Sequence, residues 1–402
     1  MGVGGPDRTA FEFHGSWQAF LPIALTNSLL TLVTLGIYRF WATTRERKYF
    51  WSNTRFIDDH LEWTGTGLEL FIGFVVAFFA IGIPFIVFNL VVQGTILQGM
   101  PAVAGVIGLI FYIAILWLVG FAIYRGLRYR LSRTSWHGIH GGSDNPGFAY
   151  GTSYLWKTIV GFLPLGLGVP WASTSLFKER WEAMSFGPHQ FTANPDWKKL
   201  MKRFALFYIL PVLILILAIL GFSRGGGMDE NIGGAIALGG LAVVFFYIAL
   251  PIISLLYYAA YSREVVGSLG LGGLEFGFTA RSTDWLVLVL GNIGLYLLAG
   301  FVGFLGALLF GGLGAVMMGG ADVLANDMAA GAGFAGLGMV TILTFVIPFM
   351  LLGPFIRYRS WAFFMRYMEA GGEVNLESLT QSDTKPLSQG EGLLDAFDVG
   401  AI

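Results

Sequence analysis

Eight long stretches of apolar residues divide the 402-residue chain, and seven of them hold no charged side chain. A helix needs about 20 consecutive apolar residues to cross the hydrocarbon core of a bilayer. Six of the eight stretches meet that length without interruption. The stretches are Leu21–Ala42, Phe71–Val92, Val103–Tyr124, Thr158–Ala172, Phe204–Phe222, Ala235–Tyr258, Trp285–Val316 and Leu337–Ile356.

The composition fits a chain that is embedded in lipid. Only 12% of its residues are charged, against about 25% in soluble globular proteins, and its mean hydropathy is +0.69. A water-soluble core could not bury so much apolar surface, so part of that surface must face lipid. The chain has no cysteine, which excludes disulfides and thiolate metal sites, and its net charge of −1 gives no reason to expect a nucleic-acid partner.

Two of the stretches depart from the pattern of a spanning helix. Leu21–Ala42 is polar in its middle, and Thr158–Ala172 has only 15 residues, which prolines and glycines interrupt. We predict that both segments are re-entrant or interfacial, with the chain turning back near Gly36 and Gly168. A kinked helix that crosses the membrane is the alternative.

The distribution of the 24 lysines and arginines favours re-entrant segments. Cytoplasmic loops of membrane proteins carry an excess of these cations. If all eight stretches span, 13 cations lie inside and 9 outside. If the first and fourth are re-entrant, 21 lie inside, one lies outside, and Arg39 and Lys157 fall within the re-entrant segments. The sequence therefore predicts six spanning helices in three hairpins, with both termini cytoplasmic.

Matches at fixed offsets predict internal repeats. Leu35–Ala42 resembles Leu165–Ala172 at an offset of 130 residues, and a third, more distant copy begins at Phe276. The predicted fold class is an all-α polytopic membrane protein with short cytoplasmic β-strands in its loops. The predicted domains are 11–130 and 131–265, each a re-entrant segment plus a helical hairpin, 266–369, a third hairpin, and 370–402, an acidic cytoplasmic tail.

Four of the inside loops alternate apolar and polar residues, which is the pattern of short strands. We predict that they form a small β layer on the cytoplasmic face of the membrane. The acidic tail is predicted to dock on the basic loops of the same face, and a solvated tail is the alternative. The four loops are Thr54–Leu70, Thr134–Tyr150, Ser185–Asp196 and Ser268–Ser282.

No motif in the sequence points to catalysis. There is no phosphate-binding glycine loop and no nucleophile setting, and the central parts of the predicted spans lack Asp and Glu. His137 and His140 lie close in sequence, but a zinc site needs three or four ligands. We therefore expect no enzyme activity, no cofactor and no metal.

The two re-entrant segments form the candidate functional site. Backbone groups that a broken helix frees at membrane depth must bind protein, water or a ligand. Asn27 and Lys157 are equivalent in the two repeats, and we predict that both face a shared vestibule open to the cytoplasm. The alternative is that both lie at headgroup depth on flat interfacial helices. Around the mouth of the vestibule we place the basic residues that favour an anionic headgroup, solute or acidic partner, namely Arg45, Arg47, Lys178 and Arg180. Trp41 and Trp171 belong to the same site as interfacial anchors at headgroup level.

Three stretches resemble the YjgN family of bacterial inner-membrane proteins. They are Asn27…Thr34-Leu-Gly-Ile-Tyr-Arg-Phe-Trp-Ala42…Arg47-Lys-Tyr-Phe-Trp-Ser-Asn-Thr54, Arg133-Thr-Ser-Trp-His-Gly-Ile139 and Gly390-Glu-Gly-Leu-Leu-Asp-Ala-Phe-Asp-Val-Gly400. The resemblance implies a location in the bacterial inner membrane. The family is a domain of unknown function, so the resemblance implies no reaction, substrate or site residue.

Two functions stay open at this point. The elaborate cytoplasmic loops favour a non-enzymatic scaffold, sensor or assembly partner at the cytoplasmic face. The re-entrant segments favour a passive conduit or carrier for a small or amphiphilic anionic solute. In both cases membrane lipid is a partner, an acidic protein or an anionic solute is a candidate partner, and the oligomeric state is left open.

Overall fold

Paired helices separated by short strands build the chain. The computed structural model describes residues 2–3, 10–164, 166–224, 239–240, 243, 245–317, 344, 347–373 and 380. A π-helical turn at Phe245–Ala249 precedes α8. The helices within the described ranges are α1 (Trp17–Val33), α2 (Arg39–Ser52), α3 (Gly67–Leu97), α4 (Pro101–Arg133), α5 (Phe148–Phe162), α6 (Val169–Glu182), α7 (Trp197–Arg224), α8 (Leu250–Val266), α9 (Ser282–Met317) and α10 (Ile347–Tyr367).

The strands assemble mainly into one antiparallel sheet. Nine strands pair in the order β1-β12-β11-β10-β9-β8-β7-β6-β5, and β2, β3 and β4 pair in that order in a second sheet. Two-residue turns at His137-Gly138 and Gly272-Gly273 have positive φ at both positions, as type I′ hairpins require. The strands are β1 (Gly2–Val3), β2 (Phe11–Phe13), β3 (Thr54–Phe56), β4 (Asp59–His60), β5 (Glu62–Trp63), β6 (Thr134–Trp136), β7 (Ile139–Gly142), β8 (Ser185–Phe186), β9 (His189–Ala193), β10 (Leu269–Leu271), β11 (Leu274–Phe278) and β12 (Met368–Glu373).

Each pair of helices leaves the sheet from one strand and returns to its neighbour. The pair α3/α4 connects β5 to β6, where Trp63 pairs with Thr134. The pair α5/α6 connects β7 to β8, where Gly142 pairs with Ser185. The helices α7 and α8 connect β9 to β10, α9 and α10 connect β11 to β12, and α1/α2 connects the paired strands β2 and β3. Each of these helical excursions, that is, each pair of helices between two strands, therefore begins and ends at paired strands.

Three helices among the described residues are long and apolar enough to cross a membrane. They are α3, α4 and the Ser282–Leu309 part of α9, with hydropathies of 2.8, 2.7 and 2.1. At 1.5 Å per residue, the 31 residues of α3 extend about 46 Å. Only 17% of the most apolar window of each helix is buried, which fits helices that present side chains to lipid. The predicted total of six spans stays a prediction.

The sheet refines the predicted fold class. All four loops that were expected to contain strands do contain them, which confirms the alternation of apolar and polar residues as the signal. The chain is mostly helical, as expected, but its β content is larger than a small layer, because the strands of successive loops pair with each other into nine strands. Antiparallel pairing between separate loops depends on their arrangement in space, which local alternation does not encode.

The chain divides into two compact units, and each is described by itself. The first unit comprises Met1–Phe11, Phe56–Trp285 and Tyr367–Ile402, and the second comprises Glu12–Arg55 and Leu286–Arg366. In the first unit, a core around Tyr124, Tyr150 and Met184 packs between helices and sheet. The predicted repeat bounds stay a prediction. The predicted start of the tail, residue 370, lies within β12, where Ala370 pairs with Phe276.

The two predicted re-entrant segments form helical hairpins with matching bounds. Helix α2 covers residues 39–52 and α6 covers 169–182, an offset of 130 residues at both ends. Between the helices of each hairpin, Gly36 and Gly166 adopt positive φ values of 93° and 85° at the same offset. The first helices have 17 and 15 residues, fewer than the roughly 20 that a span needs. The matching bounds agree with the sequence repeat, and membrane re-entry stays a prediction.

Candidate functional site

An ion pair joins the two helices of the α5/α6 hairpin. The Nζ atom of Lys157 lies 2.6 Å from Oε2 of Glu179, and the two side chains are 11% and 33% exposed. The two helices also approach each other closely at the turn, where the N–H of Gly168 donates to the carbonyl of Gly161 at 3.1 Å. Lys157 therefore fixes the hairpin, and its charge is already matched by Glu179.

Asn27 has the same role in the α1/α2 hairpin. Its amide nitrogen donates to the carbonyl of Ala42 at 3.2 Å, and its amide oxygen accepts from Nη1 of Arg45 at 3.2 Å. Arg45 also donates to the hydroxyl of Tyr38 at 3.2 Å. Asn27 is only 1% exposed, so these contacts use its polar atoms within the hairpin.

The other predicted site residues are divided between the two units. In the second unit, Trp41 stacks on Tyr38 with ring centroids 6.2 Å apart, and Arg47 is buried. In the first unit, Trp171 packs near Trp156 at 5.9 Å, and Lys178 pairs with Glu182 on the same helix at 3.7 Å. Arg180 lines a cavity. A vestibule shared by Asn27 and Lys157 requires residues of both units, and it stays a prediction.

The arginine cavity, as we call the cavity beside the α5/α6 hairpin, has a volume of about 260 Å³ and lies wholly within the first unit. Helices α4, α5, α6 and α8 enclose it. Its polar atoms come from an arginine, three tyrosines, a serine and a threonine, and the remaining walls are apolar. The lining residues are Ile123, Tyr150, Tyr154, Thr158, Phe162, Val169, Ala172, Ser173, Leu176, Phe177, Arg180 and Tyr261.

Arg180 carries an unmatched polar atom in this cavity. Its Nε is buried and has no hydrogen-bond acceptor among the residues that the structure describes. Its guanidinium carbon lies 5.9 Å from the ring centroid of Phe177, and its charge acts on the hydroxyls of Tyr150 and Tyr261. A buried donor without an acceptor costs free energy, and the positive charge of Arg180 beside the cavity would stabilise an anionic ligand there.

Polarity changes along the length of the arginine cavity. Arg180 lies two residues before the end of α6 and Tyr150 lies in the first turn of α5, so both are at the sheet end of the hairpin. Phe162 and Val169 flank the turn at the opposite end. The 11 residues from Val169 to Arg180 rise about 16 Å along α6. The cavity can therefore hold a charged head near the sheet and an apolar chain towards the turn.

Sequence reasoning identified Arg180 but missed the residues around it. Tyr261 is 81 positions away on α8, and only the packing of α8 against the hairpin brings it to the cavity. Glu179 is adjacent to Arg180, yet its pairing with Lys157 requires the two helices to be antiparallel neighbours. Spacing along the chain holds no signal for either contact.

Comparison with known proteins places the chain in a family. The model of a family described as "Bacterial protein of unknown function (DUF898)" matches residues 8–396. The chain belongs to the DUF898 family. Proteins that are named YjgN are similar to this chain. The comparison therefore confirms the resemblance that the three sequence motifs indicated.

The similar proteins are inner membrane proteins of enteric bacteria. Inner membrane protein YjgN of Escherichia coli O157:H7 is 30% identical over 130 residues, which cover 32% of the DUF898 chain and 30% of the relative. Its counterpart from Escherichia coli strain K12 is 26% identical over 163 residues, which cover 40% and 36%. The matched regions thus span about a third of the relatives' length. No solved structure matches the DUF898 chain.

Proposed function

We propose that this DUF898 protein is a non-enzymatic, multi-pass protein of the bacterial inner membrane that binds an anionic amphiphile and acts as its sensor. The observation that carries the proposal is that Arg180, whose buried Nε has no acceptor among the described residues, lines the sheet end of a largely apolar cavity. Tyr150 and Tyr261 supply further hydroxyl groups near Arg180. A partner protein would bind the nine-stranded sheet at the same end and so detect whether the arginine cavity holds a ligand.

The chemistry of the arginine cavity selects the ligand class. A guanidinium group prefers carboxylate and phosphate, because its planar donors match their oxygen atoms. Typical small-molecule sites measure about 300–1,000 Å³, so a cavity of about 260 Å³ fits one acyl chain better than a two-chain lipid. A fatty acid or a single-chain phospholipid is therefore the proposed ligand.

The proposed membrane placement puts the sheet and both termini in the cytoplasm. Open sheet edges do not occur in the hydrocarbon of a bilayer, so the sheet belongs outside it. Since both ends of each helical excursion lie at paired strands, each excursion crosses the membrane twice or returns without crossing. Six spans and two re-entrant hairpins satisfy this condition, and they place 21 cations on the sheet side against one on the other.

Cysteine labelling tests this placement, since the chain has no cysteine of its own. Gln190→Cys lies at an exposed position in β9, and it is expected to react with an impermeant maleimide only after the cells are permeabilised. Gln98→Cys, exposed between α3 and α4, is the matched control and is expected to react on intact cells. Reaction of Gln190→Cys on intact cells would exclude a cytoplasmic sheet.

Ligand binding is tested with a pair of probes that share the same hydrocarbon chain and differ in the headgroup, which is charged in one and neutral in the other. The full-length protein in mild detergent is titrated with oleate or with oleyl alcohol, and the bound fraction is measured by native mass spectrometry. A hydrogen bond to a charged group contributes about 1.5–3 kcal/mol, so oleate is expected to bind at least about tenfold more tightly. Equal affinity for the two probes would contradict the proposal.

The extension of the arginine cavity towards the hairpin turn favours a carrier as the second candidate function. A carrier would move the amphiphile between leaflets, whereas a sensor would only retain it. The two are separated by measuring transbilayer movement of a labelled fatty acid in vesicles with and without the protein. Faster movement in vesicles that contain the protein would favour the carrier over the sensor.

A further inference from the structure

Four exposed cations occupy one face of α7 at its start, and we call them the basic face of α7. At about 100° per residue they fall within an arc of about 140° around the helix. Leu200 and Phe204 lie outside that arc and are buried against the rest of the first unit. The basic face therefore points away from the protein. Its members are Lys198, Lys199, Lys202 and Arg203.

This arrangement of charges is unfavourable for α7 taken by itself. The N-terminus of a helix carries a partial positive charge, so cations in the first turns are repelled. Like charges four positions apart also repel, as Lys198 and Lys202 do, and Lys199 and Arg203. The first turn of α7 contains no acidic residue that would offset these terms. An anionic partner outside the helix would offset both.

The carboxylates near the basic face are already bound. Oδ1 of Asp196 accepts from the backbone N–H of Lys198 at 3.0 Å. Oε1 of Glu264 accepts from the N–H of Asp196 at 3.0 Å and from Nζ of Lys199 at 3.3 Å. The arginine of the basic face also acts on the like charge of Arg263 on α8. Among the residues that the structure describes, the other three cations of the basic face form no ion pair.

The basic face continues along α7 into an exposed apolar face. Ile209, Leu213 and Leu217 lie within the same arc of the helix and are exposed. From Lys202 to Ile209 the helix rises only about 10 Å. In the proposed membrane placement the apolar face contacts acyl chains, and the basic face lies at headgroup level with the half-buried Trp197.

We propose that the basic face of α7 binds the headgroup of an anionic phospholipid of the cytoplasmic leaflet, whose acyl chains lie along the apolar face. The proposal rests on the proposed membrane placement and is independent of the arginine cavity. The charges select an anionic headgroup over a zwitterionic one. The continuity with the apolar face selects a lipid over a soluble acidic protein, which would match the cations alone.

The test compares two phospholipids that share acyl chains and differ in headgroup charge. The full-length protein in mild detergent is titrated with phosphatidylglycerol or phosphatidylcholine, and the bound fraction is measured by native mass spectrometry. Lys198→Gln/Lys202→Gln is expected to weaken phosphatidylglycerol binding at least about tenfold, because each lysine near an anionic surface contributes a factor of about five. Phosphatidylcholine binding is expected to stay unchanged.

Two further variants control for charge and for position. Lys198→Arg/Lys202→Arg retains both charges and is expected to bind phosphatidylglycerol as the parent does. Lys48→Gln/Arg55→Gln removes two exposed cations from the second unit and is expected to leave the affinity unchanged. All of these positions are exposed, so each variant is expected to fold as the parent does.

The proposal is overturned if the parent binds both phospholipids equally, or if the two glutamine pairs weaken phosphatidylglycerol binding to the same extent. Equal lipid binding together with capture of an oligoglutamate peptide, lost in Lys198→Gln/Lys202→Gln, would assign the basic face to an acidic protein instead. Failure of the membrane placement is a separate result, since it would appear as reaction of Gln190→Cys on intact cells.

Discussion

Replacing Arg357 by methionine is expected to destabilise the second unit more than any single surface change. Glu46 on α2 is only 2% exposed, and Arg357 on α10 binds it with Nε at 2.7 Å and Nη2 at 3.1 Å. Without Arg357, a buried carboxylate is left without its cation, which typically costs about 3–5 kcal/mol. Because Arg357 is itself 37% exposed, we expect a loss of about 3 kcal/mol in the free energy of unfolding.

The loss is measured as a shift of the unfolding midpoint in detergent. Lys48→Met removes an exposed cation from the same helix α2 and is the matched control, with a change of about 0.5 kcal/mol or less expected. The double variant Glu46→Leu/Arg357→Leu is expected to recover most of the stability, since it removes both charges together. A midpoint of Arg357→Met equal to that of Lys48→Met would show that the ion pair contributes little.

Replacing Arg180 by glutamine is expected to weaken oleate binding about ten- to hundredfold. The substitution retains a polar but shorter side chain and removes the charge and the buried Nε. A hydrogen bond to a charged group is worth about 1.5–3 kcal/mol, which corresponds to that range of affinities. The dissociation constant for oleate is measured by the same titration, and affinity for oleyl alcohol is expected to stay unchanged.

Lys178→Gln is the control for Arg180→Gln. Lys178 is two residues away on α6, and its half-exposed amine pairs with Glu182, a contact worth about 0.3–0.5 kcal/mol. The Lys178→Gln protein is therefore expected to bind oleate as the parent does. Equal weakening by both substitutions would indicate a general effect of surface charge instead of a site at Arg180.

The features that could be predicted from the sequence are those that local pattern encodes. Apolar length identified α3, α4 and α9, because a spanning helix satisfies its own backbone groups and presents apolar side chains along its length. Alternation identified the loops that contain strands. The turns that were predicted near Gly36 and Gly168 lie at Gly36 and Gly166, since positive φ favours a residue without Cβ.

The features that could not be predicted depend on contacts between distant segments. Lys157 and Asn27 were expected to face a shared vestibule, which stays a prediction, and the sequence did not indicate the contacts that each forms within its own hairpin. A polar residue in an apolar stretch shows that a partner is needed, but sequence does not say whether protein or ligand supplies it. Tyr261 and Glu46 gain their roles from packing across more than 80 residues.

Photocrosslinking can map directly where an anionic amphiphile binds, and we expect it in the arginine cavity. A fatty acid with a photoreactive diazirine near the end of its chain is bound to the full-length protein, irradiated and located by peptide mass spectrometry. The account predicts adducts on the residues around the hairpin turn, Phe162 and Val169, and their loss in Arg180→Gln. Adducts spread over the lipid-facing helices α3 and α4, unchanged by Arg180→Gln, would contradict it.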